Sequence, residues 1–197
     1  MAGDGKLTEI VEELHDKTDA RDKVELGSLV DALDARGYGP ALAILPLAGI
    51  TPIAGVPGVP TLLALILGVI ALRLLLGYDH LWLPEMLRRR RLDAARVRKS
   101  VDWLKPLSRR LDRGLNARLE ALAGPTARRV ACVVILALLA CVPPLEMLPL
   151  AAAGPMLVVA VFGLGLLYRD GLLMLAGFVG AALVAGGAAW AAFGPGG

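Results

Sequence analysis

Histidine is nearly absent from this sequence, with only His15 and His80 among 197 residues. Two isolated histidines leave little from which to build a zinc site or a Ser-His-Asp triad. Cysteine is equally scarce. Cys132 and Cys141 lie nine residues apart in one apolar run, not at the short C-x-x-C spacing of a metal pair or redox motif, so they read as small apolar side chains. Positive charge is missing from long stretches. No lysine or arginine occurs across Gly37–Arg73 except Arg73 itself, and none across Val130–Tyr168. The beginning of the chain, Met1-Ala-Gly-Asp-Gly-Lys-Leu-Thr-Glu, lacks the basic and then apolar order of a secretory leader. Membrane insertion is therefore expected to fall to internal spans.

What is present is apolar, 56% of the chain by residue type. The two stretches poor in charge are long enough to hold bilayer spans, which need roughly 20 apolar residues each. Ahead of them, the first 36 residues carry ten acidic and five basic side chains. Within that region Leu7, Ile10, Val11 and Leu14 fall on one face of a helix, and Leu26, Leu29, Val30 and Leu33 repeat the spacing. Two short amphipathic helices are expected, packed by their apolar stripes on the rest of the protein, with Gly37 as a stop.

The first apolar block is broken by Pro40, Pro46, Pro52, Pro57 and Pro60, too many for one regular helix. It predicts a short helix over Ala41–Gly49, an irregular segment over Ile50–Val59, and a full helix from Pro60 to about Gly77. A second block has the same order: a short helix over Arg129–Val142, a Pro-rich turn over Pro143–Pro149, and a full helix over Leu150–Tyr168. Val69–Asp79 and Val159–Asp170 align on Tyr78 and Tyr168, an internal repeat of the kind common among transporters. The last span, Leu172–Phe193, is rich in small residues: Gly177, Gly180, Ala181, Ala185 and Gly186. They suit close helix packing, either within the chain or across a homodimer.

These elements predict an all-α integral membrane protein. It has two helix, Pro-broken turn, helix hairpins, re-entrant or spanning, a C-terminal transmembrane helix and amphipathic cytoplasmic helices. The divisions fall at residues 1–38, 39–78, 79–128, 129–168 and 169–197. Between Asp79 and Arg129 lie fourteen basic and six acidic residues, including Arg88-Arg89-Arg90-Arg91. The positive-inside bias places that segment in the cytoplasm. Both hairpins then enter and leave on the cytoplasmic side and the C-terminus points outward. The first arms, roughly 10–14 residues, are too brief to span and suit re-entrant arms. In the basic segment Leu107, Leu111, Leu115, Leu119 and Leu122 form an apolar stripe, and Trp82 and Trp103 are interface anchors. A helix of this type lies in the headgroup plane with anionic lipid as its partner. Nucleic acid is discounted, because no recognition motif accompanies the arginines.

Four stretches resemble one family in the right order. They are Leu26–Pro40, Pro52-Ile-Ala-Gly55-Val-Pro57-Gly58, Trp82-Leu-Pro84 followed by the arginine run, and Arg169-Asp170-Gly171-Leu172. Together they are similar to the ExoD-type exopolysaccharide synthesis proteins, over about Leu7–Phe193. Arg73 departs from the pattern, standing where a glutamine is expected. The resemblance implies a bacterial inner-membrane protein linked to exopolysaccharide production and, in some members, alkaline tolerance. It transfers no catalytic residue.

The polar positions to examine are Glu146, Arg73, Arg169, Asp170, Asp79, Thr51 and Thr61, because ionisable groups at membrane depth are costly and often functional. Glu146 is a proton or cation site if its turn is re-entrant, paired with Arg73 or protonated, and a loop acid otherwise. Arg73 can snorkel. Arg169-Asp170 serves as a helix stop or pairs with Asp79 or Arg73. Thr51 and Thr61 offer hydroxyls beside the first turn. The turns themselves rest on Pro52, Gly55, Pro57 and Gly58, and on Pro143, Pro144 and Pro149. No clustered carboxylates or metal ligands suggest chemistry on lipid-linked sugars, so neither enzyme activity, metal nor cofactor is expected. Two functions remain: transport or ion handling that supports polysaccharide synthesis or export, and a structural or regulatory subunit bound to polysaccharide assembly proteins.

Overall fold

The structure is a computed structural model, and it describes residues 6–19, 23–34, 37–50, 58–78, 84–89, 91–114, 124–145 and 151–193. Two parts build it, an amphipathic layer and an apolar bundle. The layer begins with α1 (Lys6–Asp19), a short strand β1 (Lys23–Glu25) and α2 (Leu26–Asp34). Leu7, Ile10, Val11 and Leu14 are buried from α1, and Val30 and Leu33 from α2. Their 3.6-residue spacing puts each set on one face, so burial follows directly from sequence period. The layer is completed later in the chain by α5 (Glu85–Arg88), β2 (Arg91–Asp93) and α6 (Ala94–Gly114).

The strands pair antiparallel, Val24 opposite Leu92, a ribbon that the sequence pattern did not announce. Helix α6 packs along α1, burying Ala94, Val97, Val101 and Leu104. The buried face of α6 runs through Val97, Val101 and Leu104 and on to Ser108 and Asp112, and α1 covers this helix. The side chains of Leu107 and Leu111 and residues 115–122 lie outside the description, as does Trp82; Trp103 is exposed.

The bundle contains α3 (Tyr38–Ala48), α4 (Val59–Leu75), α7 (Pro125–Ala140), α8 (Val142–Leu145), α9 (Ala153–Tyr168) and α10 (Gly171–Phe193). Pro60 occupies the first turn of α4, where no backbone donor is needed, and Gly77 closes it at φ 83°. The amides of Gly77 and Tyr78 bond to the carbonyls of Leu74 and Arg73, which is a Schellman stop. Helix α9 ends in the same way, but with Arg169 in the left-handed position at φ 51° and the Asp170 amide bonded to Gly165 O. Gly77 and Arg169 thus hold the same place in their two helix stops, while Tyr78 follows its helix and Tyr168 ends one.

The second block differs from expectation in its first arm. It opens at Pro125, not Arg129, and after a break at Cys141 the helix resumes to Leu145. Pro125–Leu145 and Gly171–Ala188 are each long and apolar enough to cross a membrane. Prolines 143 and 144 did not stop the chain early because they sit in the first turn of α8, where the missing donors are tolerated. Helix α3, at 11 residues, reaches about 16 Å at 1.5 Å per residue, and α4 and α9, at 17 and 16 residues, are also shorter apolar helices than those two.

Helix α3 runs antiparallel to α9 in very close contact. A Cβ at Gly39 would stand 2.9 Å from Leu167 Cα, and one at Gly163 only 2.2 Å from the carbonyl of Leu42. Helix α10 turns back along α9 with Met174 beside Gly165, and Phe162 packs edge-on to Phe178 at 5.0 Å. Gly177 and Gly180 face Phe162 and Val158 of the same chain, while Gly186 and Gly187 have open space. The interior is filled by Leu42, Ile66, Leu67, Ile70, Ile135, Met156 and Phe162.

Candidate functional site

One carboxylate ties the layer to the bundle. Asp112, near the end of α6, is 6% exposed although it belongs to the basic segment. It accepts hydrogen bonds from the amides of Leu7 at 3.2 Å and Thr8 at 2.9 Å, in the first turn of α1. The Thr8 hydroxyl donates to it at 2.5 Å, and the Tyr168 hydroxyl, at the last residue of α9, donates to its other oxygen. Ser108 stands one turn earlier on α6, its hydroxyl 3.4 Å from that of Thr8 and donating to the Lys105 carbonyl.

Physical chemistry explains why a charge can be kept there. The first amides of a helix have no partner within it, and they sum to a partial positive charge. Asp112 supplies the missing acceptor from another helix, 105 residues away from Leu7 in sequence. Buried donors and the carboxylate satisfy one another, so both desolvation costs are offset together. The arrangement holds three helices, α1, α6 and α9, at a common point.

A second junction lies across the layer. Arg88 forks onto the carboxylate of Asp31 with bonds of 3.0 and 2.7 Å, tying α5 to α2. A Cβ at Gly27 would stand 3.3 Å from the Arg88 Cβ, so a larger residue there would crowd the arginine. Arg89 pairs with Glu85 at 2.8 Å along α5. That hydrogen bond and the nearby charge hold the Glu85 carboxyl below the usual range. Two of the arginines in the run are thus spent inside the chain.

Of the positions singled out from sequence, several are placed. The Arg73 guanidinium lies 4.4 Å from the centre of the Tyr78 ring, a cation–π contact that joins the two ends of the α4 stop. Asp170 is 3% exposed and caps α10, accepting from the amides of Leu172 and Leu173. Arg169 is exposed at the corner. Gly58 caps α4 at φ 88°, and Thr61 lies half-buried in its first turn. Pro143 and Pro144 are exposed in α8. Glu146, Asp79, Thr51, Pro52, Gly55, Pro57 and Pro149 lie outside the described residues. Cys132 is buried and Cys141 exposed, both as free thiols. Among the described residues, no group of three His, Cys, Asp or Glu could hold a metal.

Sequence reasoning missed Asp112, Thr8 and Tyr168 as a unit. A signal did exist, since Ser108 and Asp112 extend the Val97, Val101 and Leu104 face into polar residues. A polar side chain on a buried stripe needs a partner.

The model of the exopolysaccharide synthesis family ExoD matches residues 7–190. The chain belongs to the ExoD family. Neither a curated protein nor a solved structure matches it. The match takes in α1 at one end and all but the last turn of α10 at the other. Layer and bundle are thus one family unit, and the carboxylate that joins them lies inside it. Membership connects this chain with exopolysaccharide synthesis.

Proposed function

We propose that this ExoD protein is a multi-pass protein of the bacterial inner membrane. In this reading it is a non-enzymatic, non-transporting structural or regulatory component of exopolysaccharide assembly. The observation that carries the reading is the Asp112 junction, which fastens an amphipathic cytoplasmic layer to the end of an apolar bundle. Charge placement supports it: among the described residues the buried charged side chains are Asp112 and Asp170, both used as helix caps at the bundle's end. The described interior between those ends is apolar. Such a body presents a fixed cytoplasmic surface to assembly proteins, while the outer face of α10, with Leu175, Val179, Leu183 and Trp190 exposed, meets lipid tails.

Transport is the second reading, favoured by reciprocal packing. Helix α3 lies on α9 and α4 on α7, the exchange of partners that a two-fold relation between the hairpins requires. Glu146 would be its proton or cation site.

Two assays separate these readings. In a strain lacking the gene, Asp112→Ala at normal protein level is expected to lower exopolysaccharide yield several-fold. Purified wild type in proteoliposomes is expected to pass protons and sugars no faster than empty vesicles. A protein-dependent flux abolished by Glu146→Gln would replace the structural reading with the transport one.

A further inference from the structure

We propose that α1 is a displaceable strap over a lipid-binding face of α6, with anionic phospholipid headgroups of the cytoplasmic leaflet as its competitor. The proposal rests on the membrane reading above and gives the cytoplasmic layer a second, opened state.

Helix α6 has the two marks of a helix that lies in a headgroup layer, an apolar stripe and a basic flank. The stripe runs through Ala94, Val97, Val101 and Leu104. At about 100° per residue, Arg98, Lys105 and Arg109 fall together on one side of it. Over its whole length α6 carries seven basic and two acidic side chains. Helix α1, which packs along it, has the opposite balance, five acidic against two basic. The two run antiparallel. Thr8 meets Asp112, Glu12 stands 4.0 Å from Arg109, and His15 lies 3.4 Å from Asp102, which also pairs with Lys105 at 3.2 Å. The strap thus offers α6 an apolar stripe edged by carboxylates. An anionic leaflet offers the same pattern, with phosphates that guanidinium matches in geometry as well as charge.

The fastening of α1 is exchangeable. It is 14 residues long, a length at which an isolated helix is marginal, so it stays ordered while α6 holds it. Glu12 and Arg109 are both more than half exposed, at 57% and 60%, and a surface pair of that kind contributes little. A phosphate takes the place of Glu12 at small cost. The firm attachment is the Asp112 latch, which gathers the Leu7 and Thr8 amides at one end of α1. Cutting the latch therefore leaves the strap held by its stripe and its weak flank.

The experiment places the full chain in nanodiscs of phosphatidylcholine, with or without phosphatidylglycerol, and follows hydrogen exchange in residues 6–19 and 94–106. Phosphatidylglycerol is expected to speed exchange in α1 of the wild type while α6 stays protected, because lipid replaces the strap as its cover. In Asp112→Ala the effect on α1 should reach roughly fivefold, the worth of one basic side chain near an anionic surface. Ile10→Ala, which loosens the strap from its apolar side, should show the same lipid dependence. The effect should vanish at about 1 M salt, where the Debye length is about 3 Å. It should also vanish when Arg98→Gln, Lys105→Gln and Arg109→Gln are combined with either loosened variant. Equal α1 exchange in the two bilayers, whether in the wild type or in both loosened variants, overturns the strap. So does loss of protection in α6 together with α1, or a lipid effect that survives the three glutamines. Failure of the wild type to enter either bilayer is a different result and overturns the membrane reading with it.

Discussion

Replacing Gly163 by alanine is expected to destabilise the protein by about 3 kcal/mol or more, near the top of the range for overpacked cores. The added methyl would stand 2.2 Å from the carbonyl carbon and oxygen of Leu42 and 2.3 Å from the Ala43 amide nitrogen. These are backbone atoms within a helix, so no rotamer change can make room. Either α3 moves off α9 or the crossing is lost, and with it the seat of Leu42, Ala43 and Phe162. Gly68, also inside an apolar helix, has nothing within 4 Å of its would-be Cβ. Gly68→Ala should therefore gain roughly 0.5–1 kcal/mol, the ordinary benefit of alanine in a helix interior. Thermal unfolding of both variants in detergent tests opposite signs for one chemical change.

Asp112→Ala is expected to cost about 3 kcal/mol, since leaving buried donors without an acceptor costs about 1–3 kcal/mol each. The Tyr168 hydroxyl loses its acceptor, and the first amides of α1 lose their cap. The loss should be local before it is global. Hydrogen exchange in residues 6–19 should rise most, because α1 is held to α6 and α9 at this point. Asp112→Asn should cost less, as its carbonyl oxygen still accepts from the amides. Tyr168→Phe should cost roughly 1.5–3 kcal/mol, the worth of one hydrogen bond to a charged group. Unchanged exchange in α1 for Asp112→Ala would show that the carboxylate does not hold the layer.

Local pattern made part of this architecture legible. The stripe of Leu7, Ile10, Val11 and Leu14 repeats at helical period and is buried as a set. Pro60 and Gly77 mark the two ends of α4 through properties of single residues, a fixed φ and freedom at positive φ. The first arm of the second block runs further than expected because two prolines look like an end, although the first turn of a helix tolerates them. The junction was hidden for another reason. Asp112 meets partners 56 and 105 residues away in sequence, and no local periodicity encodes which helix α6 will face. Ser108 and Asp112 lie on the buried face of α6, and nothing in the local sequence says which other helix will supply their partners. Gly163 was read as part of a repeat; its closeness to Leu42 appears only once α3 and α9 cross.

Sidedness of the layer tests the central claim most directly. In a variant with Cys132 and Cys141 replaced, a single cysteine at Arg109, on the exposed side of α6, is treated with a membrane-impermeant thiol reagent. A cytoplasmic layer latched to a multi-pass bundle predicts labelling in inside-out vesicles and none in intact cells or sealed right-side-out vesicles. Labelling of that cysteine from the outside of intact cells would contradict the topology and, with it, the cytoplasmic surface on which the proposed function depends.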